Sequence, residues 1–233
     1  MVKAELIRRS PLRILERSIH GGLKDGNIGV LASRNGVGKT ACLVHIATDK
    51  LFQDKPVIHV SYASRVDHIL TWYEDIFKEI AKKRQLESAL DVHDEIIRNR
   101  VIMNFSQNAA NTVKVLKSIE AMINYGKFTA DTVIVDGYDF DKSTCDDLQE
   151  FKDFGQRVGV RVWFSASLKK EDPLFDEKGI PHELKVCLDQ LDVLITLAYQ
   201  DDHVRLRLVK DSDFPSPGDL KIKLDPKTLL ISE

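Results

Sequence analysis

The chain has 233 residues, 43% hydrophobic and 30% charged, with a formal net charge of −2 at pH 7. These values fit a soluble globular protein with one sizeable core, and one domain is expected rather than two. They argue against a strongly basic nucleic-acid surface, and no apolar run approaches the ~20 residues that span a bilayer. No apolar leader follows Met1-Val2-Lys3, so a cytoplasmic location is expected. Cys42, Cys145 and Cys187 are odd in number, lack metal-ligand spacing and read as reduced, packed thiols.

Residues 1–18 are polar and basic, with Leu12, Ile14 and Leu15 as anchors, and read as an extension packing on the core formed by residues 19–233. A glycine-rich turn, Gly21-Gly22-Leu23-Lys24-Asp25-Gly26, precedes a short apolar strand over 27–32. Ala41, Val44, Ala47 and Leu51 recur at helical spacing over 41–51. Residues 56–62 read as a strand and 66–98 as two helices. Ile69, Trp72, Tyr73, Ile76, Phe77 and Ile80 line the first; Leu86, Leu90, Ile96 and Ile97 mark the second. A strand over 101–105 and a helix marked by Val113, Leu116, Ile119 and Ile123 follow. The β-branched run Thr132-Val133-Ile134-Val135 ends in Asp136, as a parallel strand buried on both faces would. A helix marked by Leu148, Phe151, Phe154 and Val158 and a strand over 160–165 complete the alternation. That order predicts an α/β fold with a mostly parallel sheet and helices on both faces. Strands over 193–199, 204–209 and 220–224 then follow with few helical residues between them. Arg205 and Arg207, and Lys221 and Lys223, alternate with apolar positions, so antiparallel strands are expected to close the sheet.

Between the first strand and first helix lies Ser33-Arg34-Asn35-Gly36-Val37-Gly38-Lys39-Thr40. It fits the phosphate-binding pattern G-x-x-x-x-G-K-[ST] except that Ser33 replaces the first glycine. Backbone N–H groups of such a loop, with the following helix N-terminus, cradle phosphates. Lys39 would reach the β/γ-phosphates and Thr40 would ligate Mg²⁺. An ordinary glycine turn is the competing reading. If position 33 needs φ > 0, serine there costs about 1–2 kcal/mol. Asp136 would hold the metal through water, as a Walker B acid does. The expected binding residues are therefore Ser33, Asn35, Gly36, Val37, Gly38, Lys39, Thr40 and Asp136, with Thr40 and Asp136 serving the metal.

The glycine turn, the first strand and Asn35-Gly36-Val37-Gly38-Lys39-Thr40 together resemble the opening of the RecA superfamily, within it the KaiC-like and replicative-helicase-like branch. The runs Asp192-Val193-Leu194-Ile195-Thr196-Leu197, Leu208-Val209-Lys210 and Leu224-Asp225-Pro226-Lys227-Thr228-Leu229 resemble its closing part. The resemblance implies a RecA-like P-loop core that binds ATP and Mg²⁺ at the strand C-termini, and assembly into rings or filaments. It also exposes three departures. Ala63 stands where the branch has the glutamate that polarises the attacking water, so the catalytic residue is unknown; an alanine orients no water. Ser165 and Ser167 stand where it has a longer polar sensor of the terminal phosphate. Lys210-Asp211-Ser212 keeps the lysine of a Lys-x-Arg pair and lacks the arginine, a kind of group worth about 10³–10⁵ in rate in related phosphoryl transfers.

Asp67, Asp139 and Asp141 are carboxylates that would take the place of the missing glutamate if the register were shifted. Three functions remain open at this point. One is an ATP-binding, hydrolysis-poor regulator or assembly module. Another is a DNA-dependent ATPase or helicase-like motor, for which Lys169 and Lys170 stand beside Glu171, Asp172, Asp176 and Glu177. The last is an interaction module whose loop binds nothing. No Asn-Lys-x-Asp run reads guanine, which favours ATP over GTP. His45 and His59 read as packed histidines, and Trp72-Tyr73 as a core or partner contact.

Overall fold

Thr132 to Val135 are all completely buried, and so are most of the residues of the first and second strands, which only a central position in a sheet covered on both faces allows. The computed structural model describes residues 2–62, 66–84, 89–106, 111–169, 172–212 and 218–233. Ala63, Leu86, Lys170, Glu171 and most of the 213–219 turn lie outside them.

In chain order the elements are α1 (Val2–Arg8), α2 (Leu12–Ser18), β1 (Ile28–Ser33), α3 (Lys39–Phe52), β2 (Val57–Ser61), α4 (Val66–Arg84), α5 (Ala89–Arg98) and β3 (Arg100–Asn104). There follow α6 (Thr112–Asn124), β4 (Thr132–Tyr138), α7 (Cys145–Val158), β5 (Arg161–Ser167), β6 (Val193–Gln200), β7 (His203–Asp211), β8 (Gly218–Leu224) and β9 (Ile231–Ser232). The strands form one sheet in the order β3-β2-β4-β5-β1-β6-β7-β8-β9. β1 to β6 run parallel wherever they pair with one another. Antiparallel pairing begins at β7 and continues through β8 to the short β9, which the sequence pattern does not announce. Thus β6, expected among the antiparallel strands, is parallel to β1 on one side and antiparallel to β7 on the other.

The local signals are physical. Thr144 and Asp147 form a reciprocal capping box at the start of α7, and Gly159 ends it with φ 74°. One apolar cluster joins α3, α4 and the N-terminal helices to one face of the sheet. The other joins α6, α7 and the segment between β5 and β6 to the opposite face. Leu6, Leu12 and Leu15 of α1 and α2 are each 4% exposed and belong to the first cluster. An ion network ties α2 to α3: Arg13 pairs with Glu16 and Asp49, and Glu16 with Lys50.

Cys145 and Cys187, expected as reduced thiols, are joined in a disulfide. The first residue of α7 and a turn 42 positions later meet at a Cα–Cα distance of 5.1 Å, a proximity that spacing alone does not reveal. Cys42 is the free, buried thiol, and burial pushes it up to about 12. His45 donates to the Leu229 carbonyl (2.8 Å), and His59 meets the Tyr73 hydroxyl (3.0 Å). Burial lowers both histidines to about 4.

Two outcomes follow for stability. Reduction of the 145–187 bridge is expected to cost about 2–4 kcal/mol in urea unfolding, with the Cys145→Ser/Cys187→Ser protein matching the reduced form. Both histidines are neutral in the fold and would bind protons below pH ~6.5 once unfolded. Stability is therefore expected to be complete above about pH 6.5 and to fall between there and about pH 4, followed by the urea midpoint against pH.

Candidate functional site

The loop begins where β1 ends. Ser33 is the last residue of β1, 1% exposed and extended, so the cost of serine at φ > 0 does not arise. The turn is made instead by Gly36 (φ 79°) and Gly38 (φ 114°). Gly38 has a second reason to be glycine: a Cβ there would collide with the Leu224 side chain at the end of β8. No side chain caps α3, which leaves the N–H groups of its first turn to a ligand.

Lys39 opens α3 and is 7% exposed. Its Nζ donates to the carbonyls of Arg34 (2.9 Å) and Ser33 (3.1 Å) and reaches Ser33 Oγ at 3.4 Å. All three acceptors are uncharged. Burial lowers this lysine to about 8, against the opposing pull of the Asp136 charge.

Asp136 comes from β4, two strands away from β1, because β5 lies between them. The gap is closed by hydrogen bonds. Thr40 Oγ1 donates to Asp136 Oδ2 (2.9 Å), and Ser165 Oγ of β5 donates to Oδ1 (2.6 Å). Ser165 Oγ in turn accepts from the Gly137 N–H (2.8 Å). Ser165 and Ser167, which stand at the expected sensor strand, both line the cleft, and the Ser165 hydroxyl is engaged in holding Asp136. Thr40 and Asp136 present hard oxygen donors side by side, the set Mg²⁺ takes. Among the described residues no cluster of three or more His, Cys, Asp or Glu is placed to hold a metal. The pair suits an ion that completes its shell with phosphate oxygens and water.

These groups open onto a cleft of about 620 Å³ lined by Asn35, Gly36, Val37, Gly38, Lys39, Thr40 and Asp136. It sits at the C-terminal ends of the parallel strands. There the chain leaves β1 towards β2 on one side, and β6 joins β1 on the other; open α/β sheets bind ligands in such a crevice. One wall carries Tyr62, Tyr138, Phe140, Asp139 and Lys169; the other carries Tyr199, Leu224, Pro226 and Leu229. Pro226 and Leu229 belong to a turn fixed by Asp225, whose carboxylate accepts from Lys227 N (2.8 Å) and Thr228 Oγ1 (2.9 Å). The sequence pattern did not single out Tyr199, and it marked the 224–229 run for its resemblance alone, not as part of the site. Trp72, placed with the core, is half-buried and also lines the cleft, while Tyr73 is core.

Of the three replacement carboxylates, Asp139 is the one that lines the cleft. Its side chain meets Lys169 (3.0 Å) and Lys142 (3.5 Å). Burial would raise its pKa, but these two lysines outweigh it and hold the group below the ordinary aspartate value. Asp141 also pairs with Lys169 (3.0 Å), and Asp67 is exposed in the first turn of α4. Lys210 lies at the other end of the sheet: it pairs with Leu194 near the start of β6, and Nζ donates to the Leu188 carbonyl (2.5 Å). Ser212 Oγ reaches the Leu191 carbonyl (3.4 Å).

No family model matches the chain, and no curated protein does. Among solved structures 482 chains match. One of them, described as an ATPase domain, is 16% identical, covers 96% of this chain and 90% of its own, and superposes with a TM-score of 0.70. What the two share at that identity is the fold, and the fold is RecA-like, as the opening motif implies.

Ser165→Ala would strip a buried N–H and a buried carboxylate oxygen of their partner. It is expected to destabilise the protein by about 1–3 kcal/mol in urea unfolding, and Ser165→Thr is expected to recover part of that loss.

Proposed function

We propose that the chain binds MgATP and hydrolyses it slowly or not at all, acting as a nucleotide-dependent regulator or assembly module. The observation that carries this reading is Lys39: a buried ammonium with uncharged acceptors only, under a glycine loop that opens onto the cleft. A buried ammonium is costly when its bonds go only to uncharged oxygens and the nearby Asp136 charge acts on it without a direct ion pair. A polyphosphate would give Lys39 the direct ionic partner it lacks, and the loop N–H groups would supply hydrogen bonds to it. Thr40 and Asp136 would hold Mg²⁺, which when bound neutralises phosphate charge. Pro226, Leu229 and the Tyr199 ring offer an apolar ledge for a base.

Slow turnover is supported by the acids available. The described carboxylates that line the cleft are Asp136 and Asp139. The first is bonded to Thr40 and Ser165 and the second is paired with lysines, so neither is a good proton acceptor. The motor reading rests on a DNA-binding segment after β5. Its Lys169 is engaged by Asp139 and Asp141, and Asp172 by Arg34 (3.1 Å), which leaves less free cationic charge for phosphates. Assembly into a ring or filament belongs to this proposal as the setting in which Lys210 would face a neighbouring copy.

Calorimetric titration with MgATP is expected to give saturable binding that Lys39→Ala abolishes, while phosphate release stays indistinguishable between the two proteins. Turnover lost in Lys39→Ala would make the motor reading the better one, and no saturable binding would leave only the interaction module. Binding holds Lys39 charged, so affinity is expected to fall as pH rises past about 8.

A further inference from the structure

Tyr199 is 61% exposed, an unusual setting for a large ring at the end of a central strand. Its hydroxyl donates to the Gly36 carbonyl at 3.1 Å, in the middle of the glycine loop and 163 residues away in sequence. It is not alone on that side. Leu224, at the end of β8, fills the space where a Gly38 Cβ would stand. The Leu229 carbonyl meets His45 on α3, the helix that continues the loop. Three contacts from the last part of the chain thus bear on the loop and its helix.

The geometry points to Tyr199 as a positioning residue for the phosphate cradle, an inference that rests on the nucleotide-binding reading above. A trans peptide is planar, so the carbonyl of Gly36 and the N–H of Val37 point in opposite directions. Gly36 lacks a Cβ and sits at φ 79°, where this peptide plane is free to turn. A hydroxyl that holds the carbonyl on one side fixes the Val37 N–H towards the other, where the nucleotide-binding reading would put the phosphates. The bond therefore sets the direction of a donor before the anion arrives, and reduces what ordering the loop costs on binding.

The test uses the full chain with Tyr199→Phe, which keeps the ring and removes the hydroxyl. Titrations with MgATP, inorganic tripolyphosphate and adenosine are compared, with Lys39→Ala as the control for the cradle. The inference expects Tyr199→Phe to weaken MgATP and tripolyphosphate alike, by about 2- to 10-fold, and to leave adenosine unchanged. Unchanged affinity for tripolyphosphate, beside a wild type whose binding Lys39→Ala abolishes, overturns the inference and leaves the nucleotide reading standing. Weakened MgATP with unchanged tripolyphosphate also overturns it, since Tyr199 would then act on the base. Absence of saturable binding by the wild type overturns the nucleotide reading and this inference with it. Equal melting temperatures of Tyr199→Phe and wild type separate a local change from a loss of fold.

Discussion

A lysine ammonium almost out of water is the constraint on which the rest of this structure turns. Removing such a charge from water costs several kcal/mol even after relaxation. Lys39 stays there because it opens a helix that has nowhere else to go. Leu43 and Val44 are completely buried under it, and Ile76 of α4 packs in the same cluster. At the far end of α3, Asp49 and Lys50 are tied to Arg13 and Glu16 of α2. The first residues of the chain thus stabilise the end of the helix opposite the one that faces the cleft. Packing energy spread along α3 offsets an unfavourable group placed at its tip.

The other side of the cleft is assembled from strands that are not neighbours. β5 separates the strand that carries Asp136 from the strand that ends in the loop. Ser165, on the intervening strand, turns that separation into a relay: it accepts from Gly137 N–H and donates to Asp136, which accepts from Thr40. A serine is short enough to sit inside the sheet at 2% exposure and still serve both partners.

The parallel half of the sheet was legible because its signals are local. The β-branched run before Asp136, the apolar spacing after Lys39 and the glycines at 36 and 38 each follow from burial or from φ alone. The glycine loop was legible for the same reason, since Ser33 to Thr40 are contiguous. What escaped depends on chain segments that meet late. The bridge between Cys145 and Cys187 needs α7 and the turn before β6 in one place. Tyr199 looked like any strand residue until β6 was seen to run parallel to β1 and end beside Gly36. The bonds that Ser165 makes to Asp136 and Gly137 also escaped, because local pattern locates its strand but not the orientation of the acid next to it. Arg205, Arg207, Lys221 and Lys223 follow the expected alternation with apolar positions.

Ser33 has one more effect. It supplies Lys39 with a carbonyl and a hydroxyl acceptor, and the hydroxyl also donates to the Arg34 carbonyl (2.9 Å). A glycine would supply the carbonyl alone. The loop therefore carries its own competitor for the lysine, one acceptor richer than the standard pattern allows. Any group that took the lysine from these bonds would gain only the difference between its own bonds and those it displaced, and serine makes that difference smaller than glycine would.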